Sequence, residues 1–341
     1  MRRGARSGLF TMVAVHSSVR GPALGGCRVW HYDDARAAMR DVLRLSRAMT
    51  FKSAVAGLPL GGGKGIVLAP DPLSPARRGL RADALRDFGD AVQSLDGAYI
   101  TAEDVGTSAR DMQVIASTTR YVSGLSRRRG GSGDPSPWTA LGVQAAIGVC
   151  CERVFGSDSL AGRTIVVAGL GHVGARVCVL CAGRGATLLV TDLDPAKRSI
   201  AEQAGARWIE PDAALACPAD VFVPCAMGGV LDHESATLLG APIVVGAANN
   251  QLADDDVAEL LAVRGVLWAP DFVVNAGGII NIAVELESAG YDPRRARTRV
   301  LAIADTMRRI LDDASATGAS PLTAAMALAR ERLGDATAGG P

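Results

Sequence analysis

"GRTIVVAGLGHVGARVCVLCAGRGATLLVTDLD", residues 162–194, decides the fold. "TIVVAG" (164–169) is a continuous apolar run rich in β-branched residues, which predicts a parallel strand buried on both faces. It ends in Gly169, Leu170, Gly171, His172, Val173 and Gly174, a GxGxxG turn followed by an apolar helical stretch. "TLLVTD" (187–192) predicts a second strand, and its last residue, Asp192, lies 18 residues after Gly174. A strand, glycine turn, helix, strand and acid at this spacing form the βαβ unit of a Rossmann-type dinucleotide-binding domain. The glycines let the backbone approach a pyrophosphate at the helix N-terminus, and Asp192 is placed to accept hydrogen bonds from the ribose hydroxyls. A carboxylate there repels a 2′-phosphate, so the expected cofactor is NAD rather than NADP.

Downstream, β-like runs recur at "VFVPCA" (221–226), "PIVVGAANN" (242–250) and "GVLWAPDFVVNAGG" (265–278). In an open α/β sheet the carboxyl ends of the strands line the ligand crevice, where Asn249, Asn250 and Asn275 fall, and Ala226 at the end of its run is a further candidate. Two amphipathic helices are predicted to close the chain, "TRVLAIADTMRRILDDASA" (298–316) and "SPLTAAMALARERLG" (320–334), the second started by Ser320 and Pro321. Upstream, "LSRRRGGSGDPSPW" (125–138) is the clearest linker signal, dense in Gly, Pro, Ser and Arg. Its three arginines are read as a solvated surface rather than an anion site.

The linker divides the chain into a substrate and oligomerisation domain over 1–135 and an NAD-binding Rossmann domain over 136–316. The last helix, about 317–341, is expected to pack back on the first domain. Strand candidates in the first domain are "FTMVAVH" (10–16), "KSAVAGL" (52–58), "GIVLAP" (65–70) and "AYITAED" (98–104). Between the first two, Ala37, Met39, Val42, Leu43, Leu45 and Met49 recur at mostly helical spacing, predicting an amphipathic helix that ends near Lys52. The fold class is α/β, with two domains and an expected active-site cleft between them.

Composition excludes several function classes. The 36 basic and 35 acidic residues leave a formal charge of +1, which gathers neither nucleic acid nor anionic lipid. No apolar run approaches the ~20 residues of a membrane helix. The arginine-rich start is read as leading into a strand rather than as a targeting segment. Seven scattered cysteines form no disulfide framework and predict a reducing, cytoplasmic compartment. Cys178 and Cys181 have CxxC spacing, but in the helix after the glycine turn they read as buried small hydrophobes. The histidines are isolated, so no metal site is expected.

"AGLPLGGGKGIV" (56–67) looks at first like a phosphate-binding loop, yet Leu58 stands where the frame needs its first glycine and Gly65 where it needs a hydroxyl. Lys64 therefore has another use. Lys52 lies 12 residues earlier, and Glu103 and Asp104 end an apolar run. Singly, these are a snorkelling surface lysine and a strand-end acid. Beside an NAD domain they suit an anionic substrate that gives up hydride: one cation holds a carboxylate and the other does proton chemistry.

"GPALGGCRVW" (21–30), "MTFKSAVAGLPLGGGKG" (49–65), "YITAEDVGT" (99–107), "GAANNQLA" (246–253) and "APDFVVNAGGIIN" (269–281) closely resemble the Glu/Leu/Phe/Val amino-acid dehydrogenases, in order and over nearly the whole chain. The resemblance implies that Lys52 binds the substrate α-carboxylate, with Gly25 and Gly26 lining that end. It implies that Lys64 is the catalytic base and that Asp104 exchanges protons with the substrate nitrogen. Hydride leaves Cα to give an iminium ion, neutral Lys64 deprotonates the attacking water, and the carbinolamine collapses to a 2-oxo acid and ammonia. Thr139, Asn249 and Asn275 are implied near the nicotinamide or the substrate carboxylate. The glycines at 61–63 are expected to let backbone and substrate approach closely.

The positions that shape the side-chain pocket in that family match Leu24, Ala102, Ile279 and Ile282. Four aliphatic walls favour leucine, valine or isoleucine, with overlap because a methylene discriminates by only ~1–3 kcal/mol. The alternatives are an aromatic amino-acid dehydrogenase of the same family and a catalytically silent NAD-binding protein. A homo-oligomer is implied, although the chain lacks the helix and strand expected ahead of "ARSGLF". Two further departures are Val284, where relatives usually carry an acid beside the kept Glu285, and the basic "LSRRRGG" loop.

Overall fold

The computed structural model describes residues 1–70 and 78–338. The chain divides into two compact units. The first comprises Met1–Asp134, Ile282–Pro293 and Ala329–Pro341, and the second Pro135–Asn281 and Arg294–Leu328. Residues 282–293, expected in the second domain, thus belong to the first. The last helix is shared at Leu328 rather than assigned whole to one unit, and its expected end at 339–341 lies outside the described residues.

The first unit contains β1 (Arg2–Arg3), β2 (Phe10–Ser17), β3 (Ala23–Trp30), α1 (Ala35–Val55), β4 (Gly61–Leu68), α2 (Arg78–Gln93), β5 (Tyr99–Glu103) and α3 (Ala109–Ile115). Its sheet runs β1-β2-β4-β3-β5, with β3 parallel to both β4 and β5 and β2 antiparallel to β4. The glycine stretch expected as a loop is therefore the start of a central strand. Alternation sends its residues to two layers. A Cβ at Gly62 would lie 2.1 Å from the Thr50 nitrogen of α1, whereas one at Gly63 would lie 2.7 Å from the Tyr99 ring and one at Gly65 2.4 Å from the Phe88 ring. Contact with the chain's own atoms requires these glycines, the close backbone approach expected of them at Gly62 included. β3, not anticipated as a strand, is glycine-rich for the same reason: a Cβ at Gly25 would meet the Gly63 carbonyl at 1.8 Å.

"KSAVAGL" is not a strand. α1 continues through it because Ser53, Ala54 and Val55 carry on the buried stripe of Ala38, Val42, Leu45, Ser46 and Thr50. Met39 and Leu43, expected on that stripe, are exposed. The helix ends where Gly57 takes φ +68° and the Gly57 and Leu58 amides donate to the Ala54 and Ser53 carbonyls, a glycine-dependent stop.

Asp87 of α2 is buried and anchors the N-terminal segment, accepting from the Ser7 amide (2.8 Å), the Ser7 hydroxyl (2.7 Å) and the Arg6 amide (3.1 Å). Burial pushes this carboxyl up, but the hydrogen bonds from Ser7 and Arg6 together outweigh it and hold it below the usual value. A depressed native value stabilises the fold above the unfolded carboxyl's value of about 3.9, and that contribution is lost as pH falls through the native one. Asp87→Ala is expected to cost about 2–3 kcal/mol at neutral pH and little in strong acid. Urea unfolding at pH 7 and below pH 3 checks this; equal losses at both would sink it.

The second unit carries α4 (Ser136–Phe155), β6 (Thr164–Ala168), α5 (Gly174–Ala182), β7 (Thr187–Thr191), α6 (Arg198–Gln203), β8 (Arg207–Trp208), β9 (Val221–Pro224), α7 (His233–Leu238), β10 (Ile243–Val244), α8 (Val257–Val263), β11 (Leu267–Trp268) and α9 (Asp271–Val274). Then follow α10 (Gly277–Glu285), α11 (Pro293–Leu301), α12 (Ile303–Thr317) and α13 (Pro321–Ala338). The sheet is parallel throughout, in the order β11-β10-β9-β6-β7-β8. This is the doubly wound dinucleotide-binding arrangement, with strand order reversing between β6 and β9.

Only Leu267–Trp268 of the β-like run 265–278 is strand. Of the remainder, Asp271–Val274 and the chain from Gly277 are helical, since Val273, Val274, Ala276, Ile280, Ala283 and Val284 are buried at helical rather than alternating spacing. The helix expected over 298–316 is broken at Ala302 into α11 and α12. Arg127–Arg129 form an exposed 3₁₀ turn, while Cys178 and Cys181 are buried in α5, their thiols pushed up to about 12 by burial. Among the described residues no helix is long and apolar enough to cross a membrane, and no three His, Cys, Asp or Glu side chains are grouped to hold a metal.

Candidate functional site

In the first unit, parallel register aligns Leu24 with Gly62 and Ile100, and Gly26 with Ala102. Alternation then puts Leu24, Gly26, Arg28, Gly62, Lys64 and Ala102 on one face of the sheet, the face covered by α1. Asp104, just past β5, joins them: Lys64 Nζ is 2.9 Å from Asp104 Oδ2. Lys64 is 5% exposed. Burial acts to raise the Asp104 carboxyl, but Lys64 and Arg28 together overcome it and hold the group below the usual range. Leu24 and Ala102 are buried, as are Ile282 in this unit and Ile279 in the other. Lys52 lies partly buried in the last turn of α1.

Glu103, adjacent to Asp104 in sequence, points to the opposite face. Its carboxyl is pushed up to about 7 by burial, with Asp134 and Asp111 adding to the effect, and its Oε1 is buried without a hydrogen-bond partner. Strand alternation thus separates the two neighbouring acids. One is ionised beside two cations, and the other is pushed toward its neutral form by burial.

Sequence reasoning missed Arg28. Its Nε donates to Asp104 Oδ2 at 2.9 Å and its Nη1 to Asp41 Oδ2 of α1 at 2.9 Å. The signal was present in "GPALGGCRVW", where Arg28 is the only charge among ten otherwise uncharged residues.

In the second unit the GxGxxG turn follows β6 at the reversal of strand order. Gly169 has φ +105°, and a Cβ there would strike Ala226 at 2.8 Å; one at Gly174 would lie 1.9 Å from the Gly169 carbonyl. At Gly171 nothing lies within 4 Å, so the bare backbone faces open space where a pyrophosphate can approach, as a dinucleotide requires. His172 is exposed and Val173 partly buried. Asp192 is locked to this turn, Oδ2 accepting from the Leu170 amide at 2.7 Å and Oδ1 from the Asp194 amide at 2.9 Å.

Asn275 Nδ2 donates to Asn249 Oδ1 at 2.8 Å and to the Ala247 carbonyl at 3.2 Å, joining the ends of two strand-following segments. The Asn275 Oδ1 is buried with no partner. Thr139, in the first turn of α4, donates to the Pro135 carbonyl at 3.3 Å.

Residues 1–121 match the family described as Glu/Leu/Phe/Val dehydrogenase, dimerisation domain, and residues 189–339 match Glutamate/Leucine/Phenylalanine/Valine dehydrogenase. Leucine dehydrogenase of Bacillus subtilis is 42% identical over 331 residues, covering 96% of this chain and 88% of that protein. Valine dehydrogenase of Streptomyces virginiae is 41% identical over 335 residues, covering 97% and 91%. The crystal structure of L-tryptophan dehydrogenase from Nostoc punctiforme is similar with a TM-score of 0.83 at 36% identity, over 98% of this chain and 94% of that one. With its two α/β units, its paired Lys64 and Asp104 and its glycine turn, the chain belongs to the Glu/Leu/Phe/Val dehydrogenases and is an amino-acid dehydrogenase.

Proposed function

We propose that this chain catalyses the reversible, NAD-dependent oxidative deamination of branched-chain L-amino acids to 2-oxo acids and ammonia. The observation that carries the reading is the 2.9 Å contact between buried Lys64 and Asp104, on the sheet face that also holds Leu24 and Ala102.

The first unit supplies the acid–base chemistry. Lys52 holds the substrate α-carboxylate. Asp104 exchanges a proton with the substrate nitrogen, and Lys64 acts as base from its neutral form. Lys64 then takes the proton of the attacking water. Leu24, Ala102, Ile279 and Ile282 sort the substrate side chain by aliphatic contact. The second unit would hold the dinucleotide through Gly169, Gly171, His172, Val173 and Gly174, with Ala226 beside the turn and Thr139, Asn249 and Asn275 as further contacts. A nicotinamide dinucleotide held there would supply the hydride acceptor for the substrate Cα.

The Asp192 carboxylate, held by the Leu170 and Asp194 amides, supports NAD over NADP because it opposes a 2′-phosphate. Asp192→Asn is expected to lower the NAD/NADP ratio of kcat/KM by about fivefold or more, as removing one like-charge repulsion is worth ~1–4 kcal/mol. An unchanged ratio would remove Asp192 from cofactor choice. The matched family description, a dimerisation domain, supports a homo-oligomer.

A second reading, an aromatic amino-acid dehydrogenase, is favoured by the likeness to L-tryptophan dehydrogenase. NADH formation at 340 nm with leucine, valine, isoleucine, phenylalanine, tryptophan, glutamate and alanine separates the two. Preference for the branched-chain acids supports the first reading and preference for the aromatic ones the second. No turnover with any, while NAD still binds, overturns both in favour of a silent NAD-binding protein.

A further inference from the structure

We infer that Arg28 is a positioning residue that acts as the permanent counter-ion of Asp104, keeping it ionised and oriented through the part of the cycle in which Lys64 is neutral. The inference rests on the roles proposed above for Lys64 and Asp104. Both Lys64 Nζ and Arg28 Nε address the same oxygen, Asp104 Oδ2, each at 2.9 Å. Two donors on one oxygen fix the carboxylate plane, and Oδ1 is left for exchange with the substrate nitrogen. The two cations are not equivalent. A lysine acting as base gives up its proton, and a partly buried carboxylate with no other partner would then take one up. A guanidinium does not lose its proton, so Arg28 maintains the charge that Lys64 cannot.

Arg28 is itself held from behind. Its Nη1 is 2.9 Å from Asp41 Oδ2, which also accepts from the Tyr32 hydroxyl at 2.7 Å, while Arg44 Nη2 donates to Asp41 Oδ1 at 2.9 Å. α1 thus fixes the far end of the guanidinium, and the charges alternate from Lys64 through Asp104, Arg28 and Asp41 to Arg44. The other titratable groups near enough to feel the Asp104 charge are Cys27 of β3 and Tyr99 of β5, on the opposite sheet face. Both are fully buried, and burial holds both in the neutral form. Neither can replace the arginine.

The test compares the parent with Arg28→Met, Arg28→Lys and Asp41→Asn, using ¹³C-labelled aspartate with the Asp104 signal assigned by its loss in Asp104→Asn. In Arg28→Met the Asp104 carboxyl is expected to titrate about one pH unit higher or more. The acidic limb of kcat/KM should move with it, and turnover at the parent's limb should fall about tenfold. Arg28→Lys should restore most of the shift, and Asp41→Asn should produce a smaller one in the same direction. NAD affinity should be unchanged in all three. An unshifted Asp104 titration in Arg28→Met overturns the proposal; if that variant does not fold, an unshifted titration in Asp41→Asn does so. A parent that turns over no amino acid would instead sink the function proposed above, and the carboxyl titration would still decide the role of Arg28.

Discussion

Lys64→Ala is expected to lower kcat for amino-acid oxidation by about 10³-fold, within the range for loss of a positioned general base, while leaving NAD binding intact. The cofactor turn is built from residues 169–192 of the second unit, and Lys64 lies in β4 of the first. The fold should tolerate the change. Asp104 keeps its 2.9 Å contact with Arg28, so no buried carboxylate is stranded, and alanine suits a strand position flanked by glycines. Stopped-flow measurement with a branched-chain substrate, with NADH binding followed by fluorescence in parallel, checks both halves. Added ethylamine should restore part of the rate by entering the space the lysine leaves. Turnover within tenfold of the parent would refute Lys64 as the base.

Asp104→Asn should be nearly as damaging to rate and more damaging to stability. Loss of the group proposed to exchange protons is expected to cost about 10²–10³-fold in kcat and to flatten the acidic limb of the pH profile. The isosteric amide also leaves Lys64 and Arg28 facing each other without their shared counter-charge. Breaking a largely buried pair this way costs about 3 kcal/mol, which should appear as a lowered Tm at neutral pH. Below the native value of the Asp104 carboxyl the parent is protonated too, so the difference in stability should shrink there. This follows the sign of a depressed carboxylate. A normal pH profile in the variant would assign proton exchange elsewhere.

Local signals were the legible ones. The Rossmann turn could be read because each part acts over a few residues: β-branched runs on either side, glycines where the backbone must take φ +105° at Gly169, and an acid 18 residues beyond Gly174. The Ser320 and Pro321 start of α13 could be read for the same reason, and the Ser320 hydroxyl accepts from the Thr323 amide at 3.3 Å. The stretch 52–58 was misread because small apolar residues suit a helix end and a strand equally until the packing of Thr50 and Val55 is known. "LGGGKG" was misread as a loop because glycine runs usually mark turns. Here they mark a strand wedged between Thr50 on one side and Tyr99 and Phe88 on the other.

By itself, the sequence determined the two-part α/β organisation and the glycine turn with its acid, and its family resemblance singled out Lys64 and Asp104. Their juxtaposition was decided only by tertiary structure. Arg28, Lys64 and Asp104 are spread over 77 positions of the chain, and no local rule joins them. The parallel register of β3, β4 and β5 puts all three on one sheet face, and α1 brings Asp41 to the back of Arg28. Charge pairing is a through-space interaction that decays over a few ångströms, so it becomes defined only when the sheet has closed those sequence distances.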